Sequence, residues 1–309
     1  MWNRSKFVNE YVPGLFAVAV DSYQSKRNEL MYPELVTIKD SKKKKEEKTE
    51  RSGLGRPVVK GEGQAISYDT QIAGGKQSWI HEVFALGVRI TEEAIEDNLY
   101  ELGGGGNADD LQEMFFDLGE SMAENPERLA ARFLTYGNAT TYHQTMYAKA
   151  LFATDHPRLD GSTFSNYLTS TDLTYSTFWA AVIVAENQYN HRSINIGKKV
   201  SKLWIPPQLE RQGREVIFSP DRPDTANRAI NAFQQSGRKV QLKSWPYLSG
   251  DADAWYLQCE GKGLIFFWRR KTRFGREKDF QTGDMMCKAD QRFSMEIDDP
   301  REWVGVIPA

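Results

Sequence analysis

Apolar positions recur at three- and four-residue spacing through Leu111, Met114, Phe115, Leu118 and Met122, and Leu129, Phe133 and Leu134 carry the stripe on to Gly137. That period predicts a long helix starting at Asn107 or Asp109, with Pro126 either kinking it or opening a second segment. Phe178, Ala181, Val182 and Ala185 predict a further helix over Thr174–Tyr189, and Gln208–Phe218 reads as another. Residues 81–90 alternate as a strand does. Short apolar runs predict strands at Lys202–Ile205, stopped by Pro206 and Pro207, at Lys239–Trp245, at Ala254–Cys259 and at Leu264–Arg270, with further short strands between Asp279 and Ala309. Thr91 caps a short helix with Glu92 and Glu93 in its first turn, where backbone N–H groups are free. Gly103–Gly106 ends it. Asp221–Asp224 is a loop signal ahead of a short helical piece. Helices and strands mix without a regular βαβ repeat, so the fold class is α+β.

Two stretches break this patterning. Residues 1–32 read as an extended arm with one apolar island, Leu15–Val20. Residues 33–80 hold Lys42, Lys43, Lys44 and Lys45, mixed charges to Arg51, and glycines at 53, 55, 61, 63, 74 and 75. Such a segment buries little apolar surface. Ala65–Ile72 has the Ile, Tyr and Thr content to return as a strand, so the whole predicts a long β-hairpin with a charged tip.

The 309 residues suffice for one large domain or two smaller ones sharing a core. With 40% hydrophobic and 27% charged residues the chain is a folded, soluble type rather than a disordered one. A formal net charge of -2 excludes a generally cationic nucleic-acid binder, leaving only local contacts. The two cysteines, Cys259 and Cys287, form neither a close metal-type pair nor a disulfide framework, which suits a reducing, cytosolic assembly site. No run has the length of a signal peptide or a membrane span, so neither secretion by the usual route nor membrane insertion is expected.

Candidate chemistry is sparse. Gly103–Gly106 precedes a helix, but Asn107-Ala-Asp-Asp110 follows where a phosphate cradle needs a lysine and a hydroxyl, so a hinge is the better reading. His81, His143, His156 and His191 fall in no metal-binding spacing. His156 in Asp155-His-Pro157 reads as a turn hydrogen-bonded through Asp155 and His156. Ser162 and Ser165 lack a nucleophile elbow. Cys259 reads as a small buried hydrophobe. The run from Phe266 to Lys278 interleaves aromatics with cations, as stacking plus phosphate pairing requires. The plainer reading puts its aromatics in a sheet and its arginines at a subunit contact or a solvated face. Lys42–Lys45 is offset by Glu46, Glu47 and Glu50, which favours a solvated tip pairing with a neighbour's acids.

Five stretches together are more specific: Phe84–Tyr100; Leu151-Phe-Ala-Thr-Asp-His-Pro157 with Asp160–Tyr167; Val200-Ser-Lys-Leu-Trp-Ile-Pro-Pro-Gln-Leu209; Pro223–Asn231; and Trp245–Trp255. In this order they resemble the major head subunit, or major capsid protein, of Mu-like and related tailed bacteriophages, over most of the chain from about residue 60. The resemblance implies the Hong Kong 97-like fold: an N-terminal arm (1–32), an extended loop lying over a neighbour (33–80), a peripheral domain (81–172) whose spine helix spans 107–136, an axial domain (173–267), and a return to the peripheral domain (268–309). It implies a structural, non-enzymatic protein with no catalytic residue, metal or cofactor. Such a protein assembles into hexamers and pentamers of an icosahedral shell around double-stranded DNA, in the virion after assembly in the host bacterial cytoplasm. The implied partners are further copies of the chain, a separate scaffolding protein, a portal protein, a cement or decoration protein, and packaged DNA on the inner surface; no membrane is involved. Lys42, Lys43, Lys44, Lys45 and Arg51 are then inter-subunit contacts; Gly74, Gly75, Gly103, Gly104, Gly105 and Gly106 are hinges; Arg269, Arg270, Lys271 and Arg273 face another subunit or DNA.

Two departures from relatives matter. This chain begins at its arm without the long scaffold segment some relatives carry, which implies a separate scaffold. Its last asparagine is Asn231, so a lysine–asparagine crosslink near the C-terminus lacks its acceptor. The alternatives are a bacterial nanocompartment shell of the same fold enclosing cargo and, more distantly, a DNA-binding module using Phe266–Lys278.

Overall fold

The structure, a computed structural model, describes residues 12–93, 107–169, 172–221 and 229–307. In chain order the elements are α1 (Val12–Glu29), α2 (Tyr32–Leu35), β1 (Thr37–Asp40), β2 (Lys45–Arg51), β3 (Ala73–Ile80), β4 (Glu82–Ile90), α3 (Asn107–Thr135), β5 (His156–Pro157), β6 (Thr163–Phe164), β7 (Tyr167–Thr169), α4 (Tyr175–Glu186), β8 (Val200–Ile205), α5 (Glu210–Phe218), α6 (Ala232–Gln235), β9 (Gln241–Ser244), β10 (Trp255–Cys259), β11 (Leu264–Lys278), β12 (Met285–Ile297) and β13 (Trp303–Ile307).

The long helix α3 has 29 residues and carries Pro126 inside it without ending. Phe115, Leu118, Met122, Phe133 and Leu134 are buried as the spacing requires, whereas Met114, expected on the same stripe, is exposed. Glu127, next to the proline, is buried among apolar neighbours and accepts hydrogen bonds from Met31 N, Tyr32 N (2.8 Å) and the Trp245 indole N–H (2.7 Å). Burial raises its pKa. One side chain thus ties the spine to the start of α2 and to the loop before β10.

Residues 12–29 form a helix rather than the extended chain the sequence pattern predicts. Its buried face is narrow: Leu15, Ala19 and Ser22, with the Ser22 hydroxyl donating to Phe116 O at 2.8 Å. The contact depends on small residues. A Cβ on Gly119 of α3 would lie 2.2 Å from Ala19 O, so the two helices approach backbone to backbone. A helix held by one leucine, one alanine and a facing glycine leaves almost no periodic signal.

Two sheets follow. The first has the order β1-β11-β12-β4, with β1 parallel to β11 and the other pairs antiparallel. α3 covers one face, where Leu118 and Met122 meet Ala289 and Val88. β11 and β12 are single strands of 15 and 13 residues, where shorter pieces were expected; β11 runs past Arg270 by absorbing register shifts between Trp268 and Arg270 and between Arg270 and Arg273. The second sheet has the order β7-β13-β10-β8-β9. Its alternation splits two cores. Leu203, Ile205, Leu257, Val304 and Val306 point to α4 and α5, while Trp204, Tyr256 and Trp303 point the other way, into a core shared with Phe133, Phe266 and Phe293. Every residue of β10 and β13 is buried, as expected of strands covered on both faces. β13 belongs to this second sheet, so the tail does not return as a whole to the spine-bearing sheet.

α4 begins at a reciprocal cap in which Thr174 and Thr177 bond each other's backbone. Cys259 and Cys287 are free and buried, and burial pushes the Cys259 thiol up to about 12. The Gly103–Gly106 hinge, most of the helix expected after Thr91, and most of the Asp221–Asp224 loop lie outside the described residues.

Candidate functional site

The hairpin of β2 and β3 pairs Lys45 with Ile80 at one end and Arg51 with Ala73 at the other. At its root, His81 is buried between two hydroxyls, with Nδ1 3.0 Å from Ser294 Oγ and Nε2 3.1 Å from Ser41 Oγ. Burial, with Arg292 nearby, lowers its pKa, so the imidazole is neutral. Trp79 packs on Ile265 and Phe267 alongside. Lys42, Lys43, Lys44 and Lys45 occupy this root and not the tip, because the chain enters β2 through them directly from β1. Lys43 pairs with Glu46 at 3.4 Å, and Lys45 (2.6 Å) and Lys76 (2.7 Å) both pair with Glu47. Those two ammonium groups hold the Glu47 carboxyl near 2. Lys42 and Lys44 are exposed. Arg51 is exposed at the far end of the ladder.

One flank of the hairpin is bound to the body by charged side chains from distant parts of the chain. Lys48 pairs with Asp298. Glu50 accepts from His191 Nε2 at 2.6 Å and from the Tyr147 hydroxyl at 2.5 Å, and a guanidinium nitrogen of Arg301 lies 3.0 Å from the same ring. Burial opposes ionisation of Glu50, but the His191 and Tyr147 bonds outweigh it and hold the carboxyl below its usual range. Beyond the ladder, Arg192 reaches Asp69 at 3.0 Å, the Thr70 carbonyl and the Ser52 hydroxyl. Gly74 and Gly75 lie inside β3 and not at the loop base; a Cβ on Gly74 would come within 2.9 Å of the Tyr147 hydroxyl, so close approach is what the glycine permits.

Past this anchorage the segment has no core. Residues 56–73 are exposed at every position, including Val58 at 73%, Val59 at 95% and Tyr68 at 87%. Ala65–Ile72, expected as the return strand, is irregular; the return strand is β3. An isolated ribbon of two strands has little stability of its own, and the apolar side chains at its end find no partner among the described residues.

The basic run of β11 divides. Arg270 and Arg273 both bond Asp290 of β12, Arg273 at 2.7 Å. Burial opposes ionisation of Asp290, yet the two guanidinium groups keep its carboxyl low. Arg269 is half-buried and Lys271 exposed. The aromatics Phe266, Phe267 and Trp268 are core residues. Among the histidines, His156 is buried, stacks on Phe164 and lies 3.0 Å from Asn166 Oδ1, while Asp155 pairs with Lys149 instead of sharing a turn bond with it. His143 stacks on Phe133. Among the described residues no group of three His, Cys, Asp or Glu could hold a metal, and no helix is long and apolar enough to cross a membrane. Glu50, His191, Arg192 and Arg301 escape sequence reasoning because each is paired across more than a hundred residues, and none sits in a motif.

No protein-family model and no curated protein matches the sequence. Solved structures do match in shape. The capsid of Myoviridae phage XM1 is 8% identical with a TM-score of 0.54, covering 90% of this chain and 91% of that one. The capsid of cyanophage P-SCSP1u is 8% identical with a TM-score of 0.56, covering 91% and 88%. A virus-like particle from Pyrococcus furiosus is 10% identical with a TM-score of 0.52, covering 96% and 99%. The chain has the Hong Kong 97-like capsid fold.

Proposed function

We propose that the chain is a structural shell subunit, the major head protein of a tailed phage, which assembles into hexamers and pentamers around double-stranded DNA. The observation that carries this reading is the hairpin end: a segment with no core of its own, anchored along one flank and exposing Val58, Val59 and Tyr68, is stabilised only by covering another molecule. The shape it shares with phage capsids supports another copy as that molecule. On this reading α3 is the spine of a peripheral unit, the sheet of β7, β13, β10, β8 and β9 forms the axial unit, and the chain carries no enzymatic role. A placement among Mu-like head subunits rests on the sequence motifs. A scaffolding protein, a portal, a cement protein and assembly in a bacterial cytoplasm belong to the same proposal. Lys42, Lys44, Arg51, Arg269 and Lys271 are its inter-subunit or DNA-facing cations, and Gly103–Gly106 its point of flexure.

The near-complete mutual coverage with the Pyrococcus particle supports a second reading, a shell enclosing protein cargo. A DNA-binding module is weaker, because Asp290 already holds Arg270 and Arg273. Negative-stain microscopy and sedimentation of the purified protein, with and without its neighbouring gene products, test the proposal. Closed particles are expected, and their content, genome or protein, separates the two shells. Monomers and dimers under every condition would overturn both.

A further inference from the structure

At the root of the hairpin, where β3 passes into β4, lies a groove of about 120 Å³. Ile80, Phe84, Tyr142 and His143 wall it, and Glu82 and Glu296 stand at its rim. Neither carboxylate has a hydrogen bond or an ion pair among the described residues. Burial first, and then the charge of the exposed Glu82, push Glu296 up to about 8. Among the described residues no cation pairs with either carboxyl. Burial holds His143 near 4, hence neutral, and Arg132 lies over the Tyr142 ring, 5.2 Å from its centroid. Ile80 is 64% exposed and Tyr142 49%, so the apolar walls are open as well.

The hairpin end has the complementary chemistry. Arg56-Pro-Val-Val-Lys60 sets two bare valines between two cations, all exposed. Among the described residues neither Arg56 nor Lys60 has a partner. The chain cannot bring this end to its own groove. The ladder starts beside the groove at Ile80 and leads away to Ala73, about 20 Å at a strand's rise, before the tip begins.

We propose that the groove receives the Arg56–Lys60 tip of a second copy, with Val58 and Val59 against Ile80 and Tyr142, and Arg56 and Lys60 beside Glu82 and Glu296. The inference rests on the shell reading and adds to it the receiving surface and its charge code. It also gives a reason for Glu296, a half-buried carboxyl beside the exposed Glu82 that has no partner among the described residues of the isolated subunit, since a buried carboxylate is tolerated where a cation arrives.

Charge exchange in the full-length protein tests it. Wild-type particles come first; if none form, the shell reading falls and this inference with it. Where they form, E82K/E296K should cut particle yield at least tenfold with the subunit still folded by circular dichroism. R56E/K60E should do the same, and the four substitutions combined should restore particles. Wild-type yield from E82K/E296K would overturn the inference while leaving the shell reading intact, as would failure of the combined variant when both pairs of substitutions fold. Because lysines in the groove can disturb folding, a second measurement stands beside this one. Lys60→Cys with Glu82→Cys, oxidised in intact particles, should give a ladder of linked subunits on a non-reducing gel. The native thiols are buried and should not contribute. A single monomer band from intact particles would count against the contact.

Discussion

The five-stranded sheet and the hairpin end are built on opposite principles. Each strand residue of β10 and β13 is buried, with Trp204, Tyr256 and Trp303 on one side and Leu257, Val304 and Val306 on the other, so the sheet needs nothing outside the chain. Residues 56–73 are exposed throughout and are tied to the body on one flank, where Arg192 meets Asp69 and the Thr70 carbonyl. The first region makes the subunit fold; the second has an energetic reason to exist only when another molecule is present. That division is what a shell protein requires, because assembly contacts must remain available after folding is complete.

The comparison predicts unequal costs. Trp303→Ala, which empties the shared core, should destabilise the subunit by about 3–5 kcal/mol, measured by denaturant unfolding; a loss below 1 kcal/mol would mean that this core does not hold the fold. Glu50→Ala acts between the two regions. It frees Tyr147 and His191 and should cost about 1–3 kcal/mol. Its signature is local: amide exchange in β2 and β3 should quicken while β10 and β13 remain protected. The carboxyl of Glu50 is held low in the fold, so its contribution is present above the unfolded carboxylate range and disappears as pH falls through the folded value. Exchange unchanged by Glu50→Ala would show that the flank is not held by this cluster.

How legible each region was follows from the range of its contacts. α3 and α4 repeat at 3.6 residues, so Phe115 and Phe178 announced their burial through local neighbours alone, and the strands of the second sheet stand out as short apolar runs. The motifs beginning at Leu151 and Val200 led to a fold that the shape comparison bears out. The helix nature of residues 12–29 was illegible because its contact is Ala19 against Gly119, residues without hydrophobic contrast. The lysine run lies at the root and not at the expected tip because charge shows that a segment is solvated but not where along a hairpin it sits. The Glu50 cluster and the Glu82–Glu296 groove join residues far apart in sequence, and a single chain carries no local trace of such pairs.

A smaller effect sharpens the comparison at the groove. Glu296 stays protonated in the fold to about pH 8 but ionises near 4.3 in the unfolded chain. Between those values the folded state holds a proton that the unfolded state releases, so this group's contribution is complete below the unfolded pKa and is lost as pH rises through the folded one. Glu296→Gln, neutral at every pH, should therefore leave the free subunit unchanged at pH 4 and stabilise it at pH 9, by about 1–3 kcal/mol once solvent screening of a half-buried group is allowed for. Equal thermal stability of the two proteins at pH 9 would show that the pair is not strained. In particles the same substitution should weaken assembly, because a glutamine cannot ionise when the cation of the second copy arrives.

The smallest effect on the subunit should come from the most drastic edit. Replacing residues 54–70 by a short glycine–serine turn removes Val58, Val59 and Tyr68, yet it deletes almost no buried surface and spares Ser52, Glu50 and the β2–β3 ladder. Only the Arg192 contacts with Asp69 and Thr70 are lost, and exposed pairs of that kind contribute about 0–1 kcal/mol. The unfolding free energy should therefore stay within about 1 kcal/mol of the full chain. Particle formation should be lost or severely impaired, because the covering element is gone while the surface it covers remains. A variant that unfolds would place the segment in the core, and one that still builds stable shells would remove the reason for its existence.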